Sequence, residues 1–160
     1  MENNIYLKVD GVNGECEEAG HEKWIDIISF DWGVFQPGNM FVGGGGGAGK
    51  ANFDDLTVIA AVDKATPALL KYCSGGKHIN EITLSVCKAG GNALEYIKIK
   101  LKEVLITNVT YIGIIRRPTV GMKYSFQAAE FQIEYIEQTE LGTKGASSLS
   151  GWNIKENREI

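Results

Sequence analysis

The chain has 160 residues, 44% of them hydrophobic and 22% charged, the size and balance of one globular domain spanning residues 1–160 with no second domain expected. Its net charge of -4 and pI near 5.2 exclude a nucleic-acid wrap, which needs clustered lysine and arginine to displace counterions from phosphates.

Ile5, Leu7 and Val9 alternate with Tyr6, Lys8 and Asp10, the period-two pattern of a half-buried strand, and the strand is expected to end at the turn-prone Asp10-Gly11 pair. That alternation takes the place of a basic stretch followed by an apolar run, so no Sec-type signal peptide is read there. The longest apolar run, Leu56 to Val62, is far short of the roughly 20 residues that span a bilayer. No membrane insertion is expected, and synthesis and folding are expected in the cytoplasm.

Trp24 to Phe35 is rich in aromatic and β-branched residues and predicts a long strand. One face would carry Trp24, Asp26, Ile28, Phe30 and Trp32, and the other Ile25, Ile27, Ser29, Asp31 and Gly33. Trp24, Ile28, Phe30 and Trp32 form the larger apolar set, so that face is expected to be buried, with Ser29 and Asp31 pointing away from the core. Gln36 to Lys50 contains Pro37, Gly38, the run Gly43, Gly44, Gly45, Gly46, Gly47, and then Gly49, and reads as an extended loop. Phe53 to Val62 resumes as strand.

A helix is predicted from Thr66 as N-cap, with Pro67 in the first helical position and Gly75-Gly76 as the stop; Leu69, Leu70 and Cys73 would be its buried face. Ile82, Leu84 and Val86, then Ile97, Ile99 and Leu101, read as a hairpin turning at Gly90-Gly91-Asn92. Tyr124 to Ile136 is another long strand whose apolar parity changes between Ala128 and Phe131, predicting a bulge near Ala129. Trp152 to Ile160 is expected to add an edge strand. Many strands, frequent turns and one short helix predict a mainly β barrel or sandwich with the helix packed on it.

Chemistry-bearing patterns are sparse. Cys16, Cys73 and Cys87 are odd in number with no Cys-x-x-Cys spacing, and are expected as free thiols. His21 and His78 are too isolated to imply a metal and are read as solvated or core-edge side chains. Gly44 to Lys50 has the glycine and lysine spacing of a phosphate-cradling loop, but Ala51 replaces the Ser or Thr that would hold magnesium, and a strand pattern follows where a helix is needed. Asp54-Asp55 and Glu17-Glu18 are adjacent pairs beside loops, with no fixed geometry for acid-base work. Asn108-Val109-Thr110 fits the glycosylation triplet and reads as an ordinary strand segment. No catalytic site and no cofactor are expected.

The motifs in order carry a resemblance that covers nearly the whole chain. Ile5-Tyr6-Leu7-Lys8-Val9, Phe30-Asp31-Trp32-Gly33, the glycine-rich loop ending in Gly49-Lys50, Asp63-Lys64-Ala65-Thr66-Pro67, Lys88-Ala89-Gly90-Gly91, Leu101-Lys102-Glu103-Val104 and Gly151-Trp152-Asn153-Ile154 together resemble the Hcp family, the tube proteins of the type VI secretion system. Ile112 to Met122, with Arg116-Arg117-Pro118, matches the family poorly. The resemblance implies a two-sheet β-barrel with one flanking short α-helix and an extended Gly-rich loop. It further implies homohexameric rings that stack into a tube and leave the cell without a Sec signal. Spike, sheath and baseplate components of the same system would be its partners, with small effectors carried in the lumen.

On that resemblance the polar face of the Trp24–Phe35 strand is turned to the channel, making Ser29 and Asp31 the lumen and cargo candidates. Gly43 to Gly47 and Lys50 become the ring-stacking loop candidates. Two other readings compete: a monomeric barrel holding a small ligand in a polar-lined interior, and a nucleotide hydrolase built on Gly44 to Lys50.

Overall fold

The computed structural model describes residues 3–38, 40, 41, 49–89, 94–114 and 116–160. The alternation at the start of the chain forms β1, Asn3–Val9, with Leu7 and Val9 fully buried. The Trp24–Phe35 segment divides into β2, Ile25–Asp31, and β3, Val34–Phe35. β4, Asn52–Phe53, pairs with β3; β5, Leu56–Ala61, follows. Then come α1, Thr66–Gly75, β6, His78–Lys88, and the two longest strands, β7, Glu95–Ile112, and β8, Gly121–Gln138. β9, Lys144–Asn153, and β10, Arg158–Glu159, end the chain.

The fold is mainly β. An antiparallel sheet runs β10-β9-β8-β5-β2-β1-β6-β7 and closes on itself because β7 also pairs with β8. Six strands form the closed barrel, β9 and β10 extend it beside β8, and β3-β4 is a separate two-stranded sheet. Closure leaves few backbone groups unpaired at edges, the main hazard of a sheet. The interior is filled by Leu7, Val9, Ile25, Leu56, Val58, Ile82, Leu84, Leu101, Met122, Tyr124 and Phe126, each at most 1% exposed. These bulky side chains occupy the interior space that a ligand-binding barrel would keep open as a cavity.

The helix begins differently from the expectation. Thr66 is its first helical residue, and Ala65 stands at the N-cap position with no side-chain cap. Just before it the Ala65 N–H donates to Asp63 Oδ1 at 2.9 Å and the Asp63 N–H donates to Thr66 Oγ1 at 3.2 Å, a reciprocal pair that braces the entry to the helix. The Thr66 hydroxyl also bonds the Tyr124 hydroxyl at 2.6 Å, both side chains being buried, which pins the helix start to the barrel. Gly76, at φ 62, ends the helix with the Lys77 N–H on the Tyr72 carbonyl at 2.9 Å, a left-handed turn that favours glycine. Leu69 is fully buried as expected and Cys73 half-buried, but Leu70 is 40% exposed, because Ala65, Leu69 and Tyr72 share the core-facing stripe.

β6 and β7 pair as the predicted hairpin, whose Gly90-Gly91-Asn92 turn lies outside the described residues. Parity does change near Ala129, but no residue is inserted there. Lys102↔Glu130 and Val104↔Ala128 stay in register, and both strands turn over together where Glu103 takes a φ of 51. The register shift of this pair lies instead between Ile106 and Asn108. The expected final edge strand is β10, pairing at Trp152 and Asn153, while β9 begins well before Trp152 in a Gly/Ser-rich stretch with little strand signal.

The connection from β1 to β2 folds over the outside of β1 and β6. The Cys16 N–H donates to the Trp24 carbonyl at 3.0 Å, and the Lys23 N–H to the Cys16 carbonyl at 2.8 Å. Under this strap Tyr6, Cys16 and Cys87 are buried together, with Trp24 packed on them. His21 stacks on Tyr6 with ring centroids 4.3 Å apart, meets Trp24 edge-on, and bonds the buried Ser85 hydroxyl at 3.2 Å. Burial, seconded by the Glu18 carboxylate, pushes the Tyr6 phenol up to about 12.

Candidate functional site

Ser29 and Asp31 owe their positions to one irregular residue. Between Ile27, paired with Ala60, and Ser29, paired with Ile59, the register of β2 against β5 shifts, so Ile28 is extra. Before this bulge Ile25 and Ile27 point into the core, at 1% and 8% exposure; after it Phe30 and Trp32 pack against the core. Strict alternation had placed Trp24, Ile28, Phe30 and Trp32 on one buried face. Ile28 is in fact 66% exposed, and Trp24 belongs to the cluster under the strap. A bulge exchanges the two faces of a strand. Ser29 and Asp31 are both exposed, as expected, because the exchange falls before them.

Register then aligns further polar side chains with them. Asp31 lies opposite Thr57, Thr57 opposite Ser125, and Ser125 opposite Asn108; Ser29 follows a parallel row through Ile59 and Lys123 to Thr110. The Thr57 and Ser125 hydroxyls are 3.0 Å apart, and the Asn108 amide and Thr110 hydroxyl bond each other at 3.1 Å. The result is a largely polar sheet face across β2, β5, β8 and the second half of β7, whose two rows carry the charges of Asp31 and Lys123 and one apolar residue, Ile59. Thr57, Lys123, Ser125, Asn108 and Thr110 were not singled out in the sequence: their outward parity was readable, but not the strand order that sets them beside Asp31.

Lys50 is exposed at the start of the described stretch after the glycine-rich loop, and Gly43 to Gly47 lie outside the described residues. Strand β4, at Asn52–Phe53, follows Lys50 in place of the helix whose N-terminus a phosphate site needs. Among the described residues Lys50 forms no ion pair with Asp31.

The remaining chemical candidates are structural. Cys16, Cys73 and Cys87 are free; burial pushes the Cys16 and Cys87 thiols up, away from the reactive thiolate. His78 is exposed, and among the described residues no three His, Cys, Asp or Glu side chains gather as a metal site. Asp55 accepts a hydrogen bond from the Thr107 hydroxyl at 2.7 Å, bracing β7 near its bulge. Among the described residues no helix is long and apolar enough to cross a membrane.

Fold and site together define a class: a closed antiparallel barrel with a packed interior, whose candidate functional residues lie on an outer sheet face. Residues 6–135 match the family described as type VI secretion system effector, Hcp. The chain belongs to the Hcp family of type VI secretion proteins. It is 38% identical to protein hcp1 of Pseudomonas aeruginosa over 156 residues, covering 96% of each chain. Among solved structures it resembles Hcp1 from Salmonella typhimurium, at a TM-score of 0.84 and 29% identity with 100% of both chains covered. A structure described as a type six secretion system protein superposes at a TM-score of 0.94 and 25% identity, covering 99% of this chain and 100% of the other.

Proposed function

We propose that the chain is a single tube domain and a structural subunit of the type VI secretion tube, not a catalyst. Six copies close into a ring, rings stack, and the tube leaves the cytoplasm with the spike, sheath and baseplate components of the system. The observation that carries this reading is the family match running through the barrel, together with a relative 38% identical over 96% of the chain. Gly43 to Gly47 and Lys50 form the loop that reaches the adjoining ring. The polar face around Ser29 and Asp31 is turned to the lumen, where small effectors ride.

Light scattering after size exclusion, with negative-stain imaging, tests the ring: closed six-fold particles are expected, and a stable monomer at micromolar concentration would sink the reading. Asp31→Lys then tests the lumen. Asp31 is exposed and its substitution disturbs no core contact, so rings should form while each ring exchanges six anions for six cations, and capture of a cognate effector should change. Unchanged capture by intact rings would remove the lumen role, and failure to form rings would instead place Asp31 in a packing contact.

A further inference from the structure

Of the chain's asparagines only Asn13 is followed by glycine. Asparagine amides are chemically labile, and most so before glycine, where no side chain hinders the next backbone nitrogen and the backbone bends freely. Asn13 lies in the strap between β1 and β2, its own side chain exposed and Gly14 buried. Packing requires the glycine: a Cβ at 14 would lie 2.4 Å from the Trp24 carbonyl oxygen and 2.9 Å from Ile25 Cα. The close approach of the strap to the start of β2 therefore demands the very neighbour that makes Asn13 reactive.

Deamidation begins when the Gly14 nitrogen gives up its proton to water or hydroxide and bonds to the side-chain carbonyl carbon of Asn13. The bond from that carbon to the amide NH2 breaks, and ammonia leaves after taking up a proton in place of the one lost. A five-membered imide remains. Water then opens it on either side. Attack at the side-chain carbonyl gives aspartate on an unchanged backbone. Attack at the main-chain carbonyl gives isoaspartate, in which the chain runs on through the side-chain carbons and is one carbon longer. Water is consumed, ammonia is released, and no oxidant or reductant takes part.

The closed strap obstructs the first step. The N–H of Gly14, whose nitrogen must attack, donates to the Lys23 carbonyl at 2.8 Å. On either side the Val12 N–H donates to the Val9 carbonyl at 3.0 Å and the Cys16 N–H to the Trp24 carbonyl at 3.0 Å. These bonds hold the backbone around Asn13, so the Gly14 nitrogen cannot turn onto the side chain before it. Burial of Gly14 also keeps base from its proton.

We propose that Asn13-Gly14 is a deamidation site which the closed strap holds inactive, and that reaction while the strap is open makes the opening permanent. Isoaspartate lengthens the main chain just where Gly14 has no free space. The bonds from Gly14 to Lys23 and from Cys16 to Trp24 then cannot both re-form, and Tyr6, Cys16 and Cys87 stay uncovered. The aspartate product keeps the original backbone and closes again. The site belongs to the fold of one copy and stands apart from the ring reading.

To test this, the full chain is aged at mildly alkaline pH, folded or unfolded in urea, and peptide mapping by mass spectrometry follows residue 13. Reaction proceeds from the open strap, so its rate follows the open fraction, and the folded protein should react at least about tenfold more slowly than the unfolded chain. His21→Ala removes the stack on Tyr6 and the bond to Ser85. It should speed reaction of the folded protein at least about threefold. In the isolated isoaspartate form, Cys16 and Cys87 should react with a thiol reagent at least about tenfold faster than in fresh protein, whereas Asn13→Asp should keep them covered. A folded rate equal to the unfolded one, or no acceleration in His21→Ala, would overturn protection by the strap. An isoaspartate form whose two thiols stay covered would overturn the permanent opening. Should His21→Ala fail to fold, the wild type in urea below its unfolding midpoint decides. Its reaction must accelerate before the far-UV signal changes, and acceleration only with global unfolding refutes local opening.

Discussion

The barrel has two outer faces that began with the same problem and solved it differently. Behind β1 and β6, the strap between β1 and β2 covers the outer face, and Tyr6, Cys16, Cys87, His21 and Trp24 make a second small core there. On β2, β5, β8 and the second half of β7 no strap crosses the Ser29 and Asp31 rows among the described residues, and the side chains are hydroxyls, an amide and two opposite charges, with Ile59 the apolar exception. A covered face can be apolar because its area leaves water on folding; an uncovered one must stay polar to keep the monomer soluble. The covered face therefore contributes stability, and the bare face is free for contacts with other molecules.

The comparison breaks most clearly at Tyr6. It is 5% exposed and lies beneath both His21 and the strap, so Tyr6→Ala should lower unfolding free energy by about 3 kcal/mol, measured by chemical denaturation. Loss of less than about 1 kcal/mol would show that the strap does not behave as a core. Gly14→Ala attacks the same face through the backbone: an added Cβ would lie 2.4 Å from the Trp24 carbonyl oxygen, so the strap must lift, at a cost of about 2 kcal/mol.

Alkali sharpens the contrast more gently. The Tyr6 phenol ionises at about 12 in the folded protein against 10.0 for an ordinary tyrosine. Between those values the native state keeps a proton that the unfolded chain has lost, so stability falls as pH rises through that window. The thermal midpoint of the wild type should drop more steeply there than that of Tyr6→Phe. Smallest of all is Ser29→Ala on the bare face, expected to change stability by less than about 0.5 kcal/mol in either direction. A larger loss in the isolated subunit would mean that this face carries structural contacts.

Local patterns were legible where one residue type excludes alternatives. The alternation of Ile5, Leu7 and Val9, the stop at Gly75-Gly76 and the β6–β7 pairing each follow from short-range sterics or period-two burial. The resemblance spread over many short motifs carried the family, and the match over residues 6–135 agrees with it. β9 was the least legible element, because Gly145 to Gly151 has almost no strand propensity and is held by its ladder with β8.

The candidate face was half legible. Period two sends Ser29 and Asp31 away from the core, and they are exposed, but it also sent Ile28 inward. Alternation along one strand carries no knowledge of an extra residue, because a bulge is set by how β2 must bend to meet β5 and close the barrel. The same holds for the helix start, where Ala65 takes the N-cap position: Thr66 has the right side chain for a cap, but it is the first helical residue and its hydroxyl bonds Tyr124, 58 residues away. What the sequence alone determined was most of the strands, though not β9, together with where the helix stops and which family the chain joins, all consequences of local periodicity and motif order. The face exchange in β2, the strap core and the rows beside Asp31 were decided by tertiary structure, because each depends on partners far along the chain that only barrel closure brings together.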